Sequence, residues 1–444
     1  MAWEEFYEVA GKLSHDLEAL ERGQEVIGRM RIRNPQESAQ TLSRATPGQR
    51  RERAKTFFDA IAARQGLGQG MHDRGEAIGF AYGEMKPQDA AGMDRHFPIR
   101  VKTVSVKEKE IAAETCWDVS ARGSEWGVDD GEELYCIVNV GRLILNPGAS
   151  LAVRGNVFIF VCQELIKREG AKSPDWMGES YPEGGLPPFD IGILPTPFSY
   201  TQGKMDRIEG EDGRPGASGR HGVQVQELEM SSTIFGPIYT GDRKGKISGS
   251  RGRDGAPGEP GKPGGCGGAC KLAELNIRKI VCGGGKVTVL AKAGNGGAGG
   301  DGGGGSDGLA AYRTLYEDYP AGDGGAGGRG GNGGNGGISS NIYICVPEEQ
   351  EGEIECISLE GQGGRGGDGG QGGNGGQGGH GGAGCLGGVR ASPEAAEEKN
   401  VYRASPGTPG QNGTLGQNGA MGKKGRDGHA RPAPPVFLNE KRIL

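Results

Sequence analysis

Hydrophobic residues near the amino terminus recur every three or four positions, which is the spacing of one face of an α-helix. Five residues share this stripe: Phe6, Val9, Leu13, Leu17 and Leu20. Further along, Thr46 suits a helix N-cap and Gly66 suits a helix end, which predicts a second helix between them. The pattern therefore predicts a helical N-terminal region over residues 1–100.

From Tyr135 the hydrophobic period changes to two, which is typical of β-strands. Three β-rich runs follow at 143–145, 151–153 and 157–161, and turn sequences separate them. Both faces of the third run are apolar, so we expect that strand to be covered on both sides. Residues 101–203 are therefore predicted to form a β-rich region that ends in a proline-rich connector.

Glycine tracts that alternate with short apolar strands fill residues 204–444. Of the 444 residues, 91 are glycine, which is about three times the ordinary usage. Six tracts are present: 210–222, 249–268, 294–308, 322–337, 361–388 and 407–428. The first, second and sixth have one glycine in three, as collagen does, whereas the other three place two glycines in most triplets.

Glycine at every third position matches an extended left-handed helix with three residues per turn. Two glycines per triplet leave two bare edges, which lets neighbouring backbones approach closely enough to bond. Ordering a lone tract costs about 1 kcal/mol per residue, and almost no side-chain burial offsets that cost. We therefore expect the tracts to pack together as polyglycine II helices, with short collagen-like triple helices and disordered linkers as the alternatives.

Short pairs of apolar strands lie between the tracts, at 277–281 with 287–293 and at 342–346 with 354–359. This irregular repeat predicts strands that stack in a sheet or solenoid while the tracts leave it as rods. The predicted fold class is mixed. An N-terminal helical and β-rich domain is followed by short β-strand pairs, which alternate with polyglycine II helices packed in a bundle.

The Gly-Gly-X runs, which extend from Gly-Gly-Arg365 to Gly-Gly-His380, resemble those of polyglycine II bundle proteins. These are the tail-tip adhesins of certain bacteriophages and, less closely, the snow-flea antifreeze protein. The resemblance covers residues 210–428 and is compositional. The phage adhesins carry variable recognition loops at the bundle tip, which implies that residues 309–321 form such a loop. Its candidate contacts are three tyrosines: Tyr312, Tyr316 and Tyr319.

Charge and hydropathy narrow the classes of function. The net charge of −6 argues against nucleic acid as a partner, because phosphate binding needs a cationic surface. No run approaches the roughly 18 apolar residues of a membrane span. Residues 1–6 lack the basic start and apolar run of a secretory signal, so we expect synthesis in the cytoplasm. Assembly at a surface, in an extracellular fibre or in a virion stays open.

Residues that carry chemistry form no recognisable site in the sequence. Cys266 and Cys270 lie close together, but no second cysteine or histidine pair completes a zinc site. The 6 histidines are scattered, and no nucleophile motif or phosphate-binding loop is present. The sequence therefore predicts a non-enzymatic protein with no catalytic residue, metal or cofactor. It leaves open the disulfide state of the 9 cysteines.

Two classes of function remain. The first is a structural protein that self-assembles, as a homo-oligomer or filament, into a fibre or particle surface through its glycine-rich scaffold. The alternative is an adhesin that presents loops at the bundle tip to a cell-surface receptor. For the first class, an apolar tail is the candidate assembly segment. Its residues, which either insert into a neighbouring copy or fold back on their own sheet, are Val436, Phe437, Leu438, Ile443 and Leu444.

Overall fold

The fold is known from a computed structural model. It describes nine segments of the chain: 3–33, 98–127, 134–169, 186–195, 230–233, 236–239, 254–308, 323–372 and 420–444. Within these segments the protein is mostly β-sheet, with two short α-helices near the amino terminus.

The first predicted helix is two helices in the structure, α1 (Glu4–Lys12) and α2 (Leu17–Glu21). Ser14 interrupts the helical backbone with a φ of 58°. Asp16 then caps α2, because its carboxylate accepts hydrogen bonds from two backbone N–H groups of the first turn. The single stripe was therefore wrong as one helix. The second predicted helix, between residues 46 and 66, lies outside the described residues.

The described strands form two large sheets and one hairpin. Sheet A contains β1 (Val26–Ile32), β2 (Ile99–Ile111), β4 (Leu134–Leu145), β6 (Val157–Lys167), β10 (Ala273–Ile277), β11 (Ile280–Cys282), β13 (Ile342–Cys345), β15 (Val436–Leu438) and β16 (Lys441–Arg442). Sheet B contains β3 (Cys116–Asp118), β5 (Ser150–Arg154), β7 (Ile191–Leu194), β12 (Val287–Lys292) and β14 (Ile354–Leu359). The hairpin pairs β8 (Met230–Thr233) with β9 (Gly236–Tyr239).

The chain passes back and forth between the two sheets, and we call each passage through sheet A and then sheet B a coil. In sheet A the strands β2, β4, β6, β10, β13 and β15 lie side by side in parallel. The strands of sheet B are also parallel, in the order β14, β12, β7, β5, β3. Antiparallel strands close both edges of sheet A, since β1 pairs with β2 and β16 pairs with β15.

The main hydrophobic core lies between the sheets. It joins inward residues of sheet A, such as Phe158 and Phe160, to residues of sheet B, such as Leu151 and Val289. The alternate residues of sheet A form a second core with α1, and Ile159 is one of them. All of these side chains are buried. The expectation that the run 157–161 is covered on both faces is confirmed.

The predicted fold class is wrong. The protein has a mixed nine-stranded sheet and a parallel five-stranded sheet, in place of a helical domain, strand pairs and a polyglycine II bundle. The strands of each predicted pair enter different sheets, as β13 and β14 do. The reason is that parallel neighbours need long crossovers, and local periodicity shows a strand without its partner. Because β6 pairs with β10, sheet A continues across residue 203. The division into three regions stays a prediction.

Candidate functional site: the glycine array

Glycine-rich segments connect sheet B back to sheet A in successive coils. We call them tracts I (254–268), II (294–308), III (323–337), IV (361–372) and V (420–431), and together the glycine array. Tract II leaves β12 and tract III returns to β13, while tract IV leaves β14 and tract V returns to β15. Because the strands stack at regular spacing, the tracts that leave them lie side by side.

Every third backbone N–H in the array donates to a carbonyl oxygen of a neighbouring tract. Gly331 of tract III donates to the oxygen of Gly300 in tract II at 2.7 Å, and Gly367 of tract IV donates to the oxygen of Gly331 at 2.8 Å. Tract III also accepts from tract I and donates to tract V in the same periodic way. Tract III is therefore bonded through its backbone to all four other tracts.

The space between the tracts has no room for side chains. A β-carbon on Gly330 would lie 1.9 Å from the oxygen of Gly367, and one on Gly331 would lie 2.0 Å from the oxygen of Lys262. Consecutive glycines thus face different neighbouring tracts. The third residue of the triplet, such as Arg329 or Asn332, is exposed. Two glycines per triplet are needed where a tract has neighbours on several sides.

Tracts I and V have one glycine in three, and each bonds to only two of the other described tracts. That glycine faces inward. A β-carbon on Gly258 of tract I would lie 1.9 Å from the oxygen of Gly303, and one on Gly425 of tract V would lie 1.8 Å from the oxygen of Gly331. Glycine content therefore follows the number of neighbours a tract has.

A set of side-chain brackets holds tracts that run in the same direction, and the sequence analysis missed it. Asp301 in tract II accepts a hydrogen bond from the N–H of Asp368 in tract IV at 2.8 Å. Asn332 in tract III accepts one from the N–H of Arg426 in tract V at 3.0 Å. The other brackets with this pattern start at Asp254, Asn295 and Asn335. Asn and Asp at the third position of a triplet are the sequence signal.

Where the first coils turn without a glycine tract, a buried polar cluster takes the same corner. The backbone N–H of Arg154 donates to the Ser120 hydroxyl at 2.8 Å, and the Arg154 guanidinium lies 3.5 Å from Asp118. Asn156 bonds both to the N–H and to the carbonyl oxygen of Ala121, at 2.7 and 3.0 Å. These contacts fix the turns, so we assign the cluster a structural role.

The thiols of the core are unsuited to chemistry at neutral pH. Burial raises the pKa of Cys136, Cys162 and Cys270 to about 12 in each case. The reactive thiolate is therefore scarce. The cysteines that the structure describes are free thiols. In the same part of the chain, no group of three or more His, Cys, Asp or Glu side chains is arranged to hold a metal ion.

The predicted assembly tail folds back on its own sheet. Val436, Phe437 and Leu438 are 1%, 8% and 9% exposed, and they form β15 against β13. A turn follows and leads into β16, which leaves Ile443 and Leu444 exposed at 43% and 46%. An assembly role for this tail stays a prediction. Its other candidate, the tip loop with Tyr312, Tyr316 and Tyr319, lies outside the described residues.

Comparisons with known proteins add no relative. No known protein family, curated protein or solved structure matches the chain. The resemblance of the glycine runs to phage adhesins stays a prediction from the sequence. Among the described residues, no helix combines the length and apolarity that crossing a bilayer requires.

Proposed function

We propose that the protein is a structural subunit that works in multiple copies, with the glycine array as its stiff element. The observation that supports this is the bonding of tract III to four neighbours through backbone groups alone. A tract such as 294–308 spans about 45 Å, at about 3.1 Å per residue. Since its interior excludes side chains, the array suits shape and stiffness better than recognition of a small molecule.

The way the array is anchored also supports a mechanical role. Ordering glycine-rich chain costs about 1 kcal/mol per residue, and each backbone hydrogen bond returns roughly that amount. The N–H of Ala293 donates to the oxygen of Leu359 at 3.2 Å, so adjacent strands are already in register where tracts II and IV begin. The sheets thus align the tracts before any tract–tract bond forms.

The test is the assembly state of the purified full chain. Sedimentation and negative-stain electron microscopy are expected to show particles or fibres of several copies, and hydrogen exchange is expected to be slow at the tract glycines. The variant Gly331→Ala should lose the slow exchange, whereas the exposed control Arg329→Ala should keep it. A chain that stays monomeric at all concentrations would overturn the proposal.

A second candidate function, receptor binding, is favoured by the position of one connection. The N–H of Gly325 in tract III donates to the oxygen of Ser306 in tract II at 2.8 Å. This bond lies at the end of the array remote from the sheets. Residues 309–322 therefore join the array at its far end, where a recognition loop would be presented. Replacing Tyr312, Tyr316 and Tyr319 by alanine should abolish binding to a cell-surface receptor if this function is correct, and leave assembly unchanged.

A further inference from the structure

We infer that two copies of the protein pair through β14, antiparallel across a two-fold axis, so that their two sheets B become one. The inference rests on the proposed function, because it names the contact through which copies associate. The partner is a second copy of this chain, and the contact uses backbone hydrogen bonds together with acid–base pairs.

The first observation is that β14 is an open edge. Sheet A ends in antiparallel strands on both sides, whereas β14 pairs with β12 on one side and with no other described strand. Its outward residues remain accessible, since Glu355 is exposed and Ile357 is half-buried. An unpaired strand of six residues is a template for another strand. At the opposite edge of sheet B, β3 has only three residues.

The second observation is where β14 is already covered. The Ser358 hydroxyl donates to the oxygen of Pro434 at 2.6 Å, and the N–H of Arg431 donates to the oxygen of Gly361 at 2.8 Å. Residues 431–434 therefore lie beside the carboxyl end of the strand and leave its amino half open. In an antiparallel pair with two-fold symmetry, one residue opposes itself. The open half places that residue at or beside Cys356.

The third observation is the charge at the two ends of β14. Residues 348–360 contain Glu348, Glu349, Glu351, Glu353, Glu355 and Glu360 and no basic residue. Beyond the carboxyl end of the strand, segment 423–431 carries Lys423, Lys424, Arg426 and Arg431 against Asp427 alone. All of these basic residues are exposed.

Two-fold symmetry makes these charges complementary. An antiparallel pair sets the acidic amino end of one β14 against the basic carboxyl end of the other, and the axis repeats the contact. A head-to-tail contact of β14 with β3 would instead bring Glu355 towards Asp118, which is acid against acid. The charge pattern therefore selects the two-fold arrangement.

The experiment measures self-association of the full chain by sedimentation equilibrium. Glu355→Lys and Arg431→Glu should each weaken dimerisation by roughly tenfold, and the double variant should recover most of the loss. The matched control is Glu259→Lys, an equally exposed charge on tract I, which should leave the association unchanged. Added salt should weaken the wild-type dimer and have little effect on either single variant.

The outcomes separate the two proposals. A wild-type chain that is monomeric throughout overturns both the two-fold contact and the proposed function. A wild-type chain that associates equally well with Glu355→Lys, Arg431→Glu and Ile357→Lys overturns the contact alone. Circular dichroism establishes that each variant is folded. If one variant unfolds, the other charge reversal and the salt dependence decide the question.

Discussion

The carbonyl oxygen of Gly300 lies 2.2 Å from the place that a β-carbon on Gly367 would occupy. No real side chain fits at that distance, so tracts II and IV would have to separate. We expect Gly367→Ala to lower the free energy of unfolding by at least about 2 kcal/mol, because the atom it meets is backbone. Urea denaturation measures the change.

The matched control for that prediction is Gln371→Ala in the same tract. Gln371 is exposed at the third position of its triplet, so its loss should change stability by less than about 0.5 kcal/mol. Equal losses in the two variants would contradict the close packing of Gly367.

The bracket between Asp301 and Asp368 gives a second prediction. Asp301→Ala removes the acceptor of the 2.8 Å hydrogen bond and should cost about 1 kcal/mol, whereas Asp301→Asn keeps an acceptor and should cost less. Exchange at the amide of Asp368 should also become faster in the alanine variant. The prediction is wrong if asparagine and alanine behave alike.

A pH effect on stability is expected from His15. Burial lowers the pKa of this ring below 6.5, and its Nε2 lies 2.8 Å from the hydroxyl of Thr103. The unfolded chain therefore takes up a proton that the folded chain resists. Stability is retained above about pH 6.5 and falls as the pH drops towards the folded-state pKa, by at most about 1.4 kcal/mol per pH unit.

The measurement for His15 is thermal unfolding at a series of pH values. His15→Gln keeps a hydrogen-bonding side chain and has no proton to gain in this range, so its stability should lack the step between pH 7 and 5. A step of the same size in the variant would show that another group is responsible.

The folded-back tail gives a fourth prediction. The rings of Phe437 and Tyr343 stack with their centroids 5.0 Å apart, and Phe437 is 8% exposed. Phe437→Ala should cost about 3 kcal/mol in thermal or urea unfolding. Ile443→Ala, at a side chain 43% exposed, is the control and should cost less than about 0.5 kcal/mol. Comparable losses would mean that β15 is not part of the folded core.

Several elements were predictable because their signals are local. The apolar runs at 143–145, 151–153 and 157–161 lie in β4, β5 and β6, since alternation and turn residues act over a few positions. The break between α1 and α2 was missed because the hydrophobic stripe runs through it, although Asp16 is a recognisable cap. The brackets from Asp301 and Asn332 were missed because each needs a neighbour far away in the sequence.

The sequence by itself determined where strands form and that the glycine tracts recur with a period of three, because both depend on the size and polarity of nearby residues. Only the tertiary structure decided that β13 and β14 enter different sheets, and that β14 keeps an open edge while β16 closes sheet A. The physical reason is that strand partners are chosen by long crossovers and by which edge the returning chain covers. These are contacts between residues far apart in the sequence, and no local pattern encodes them.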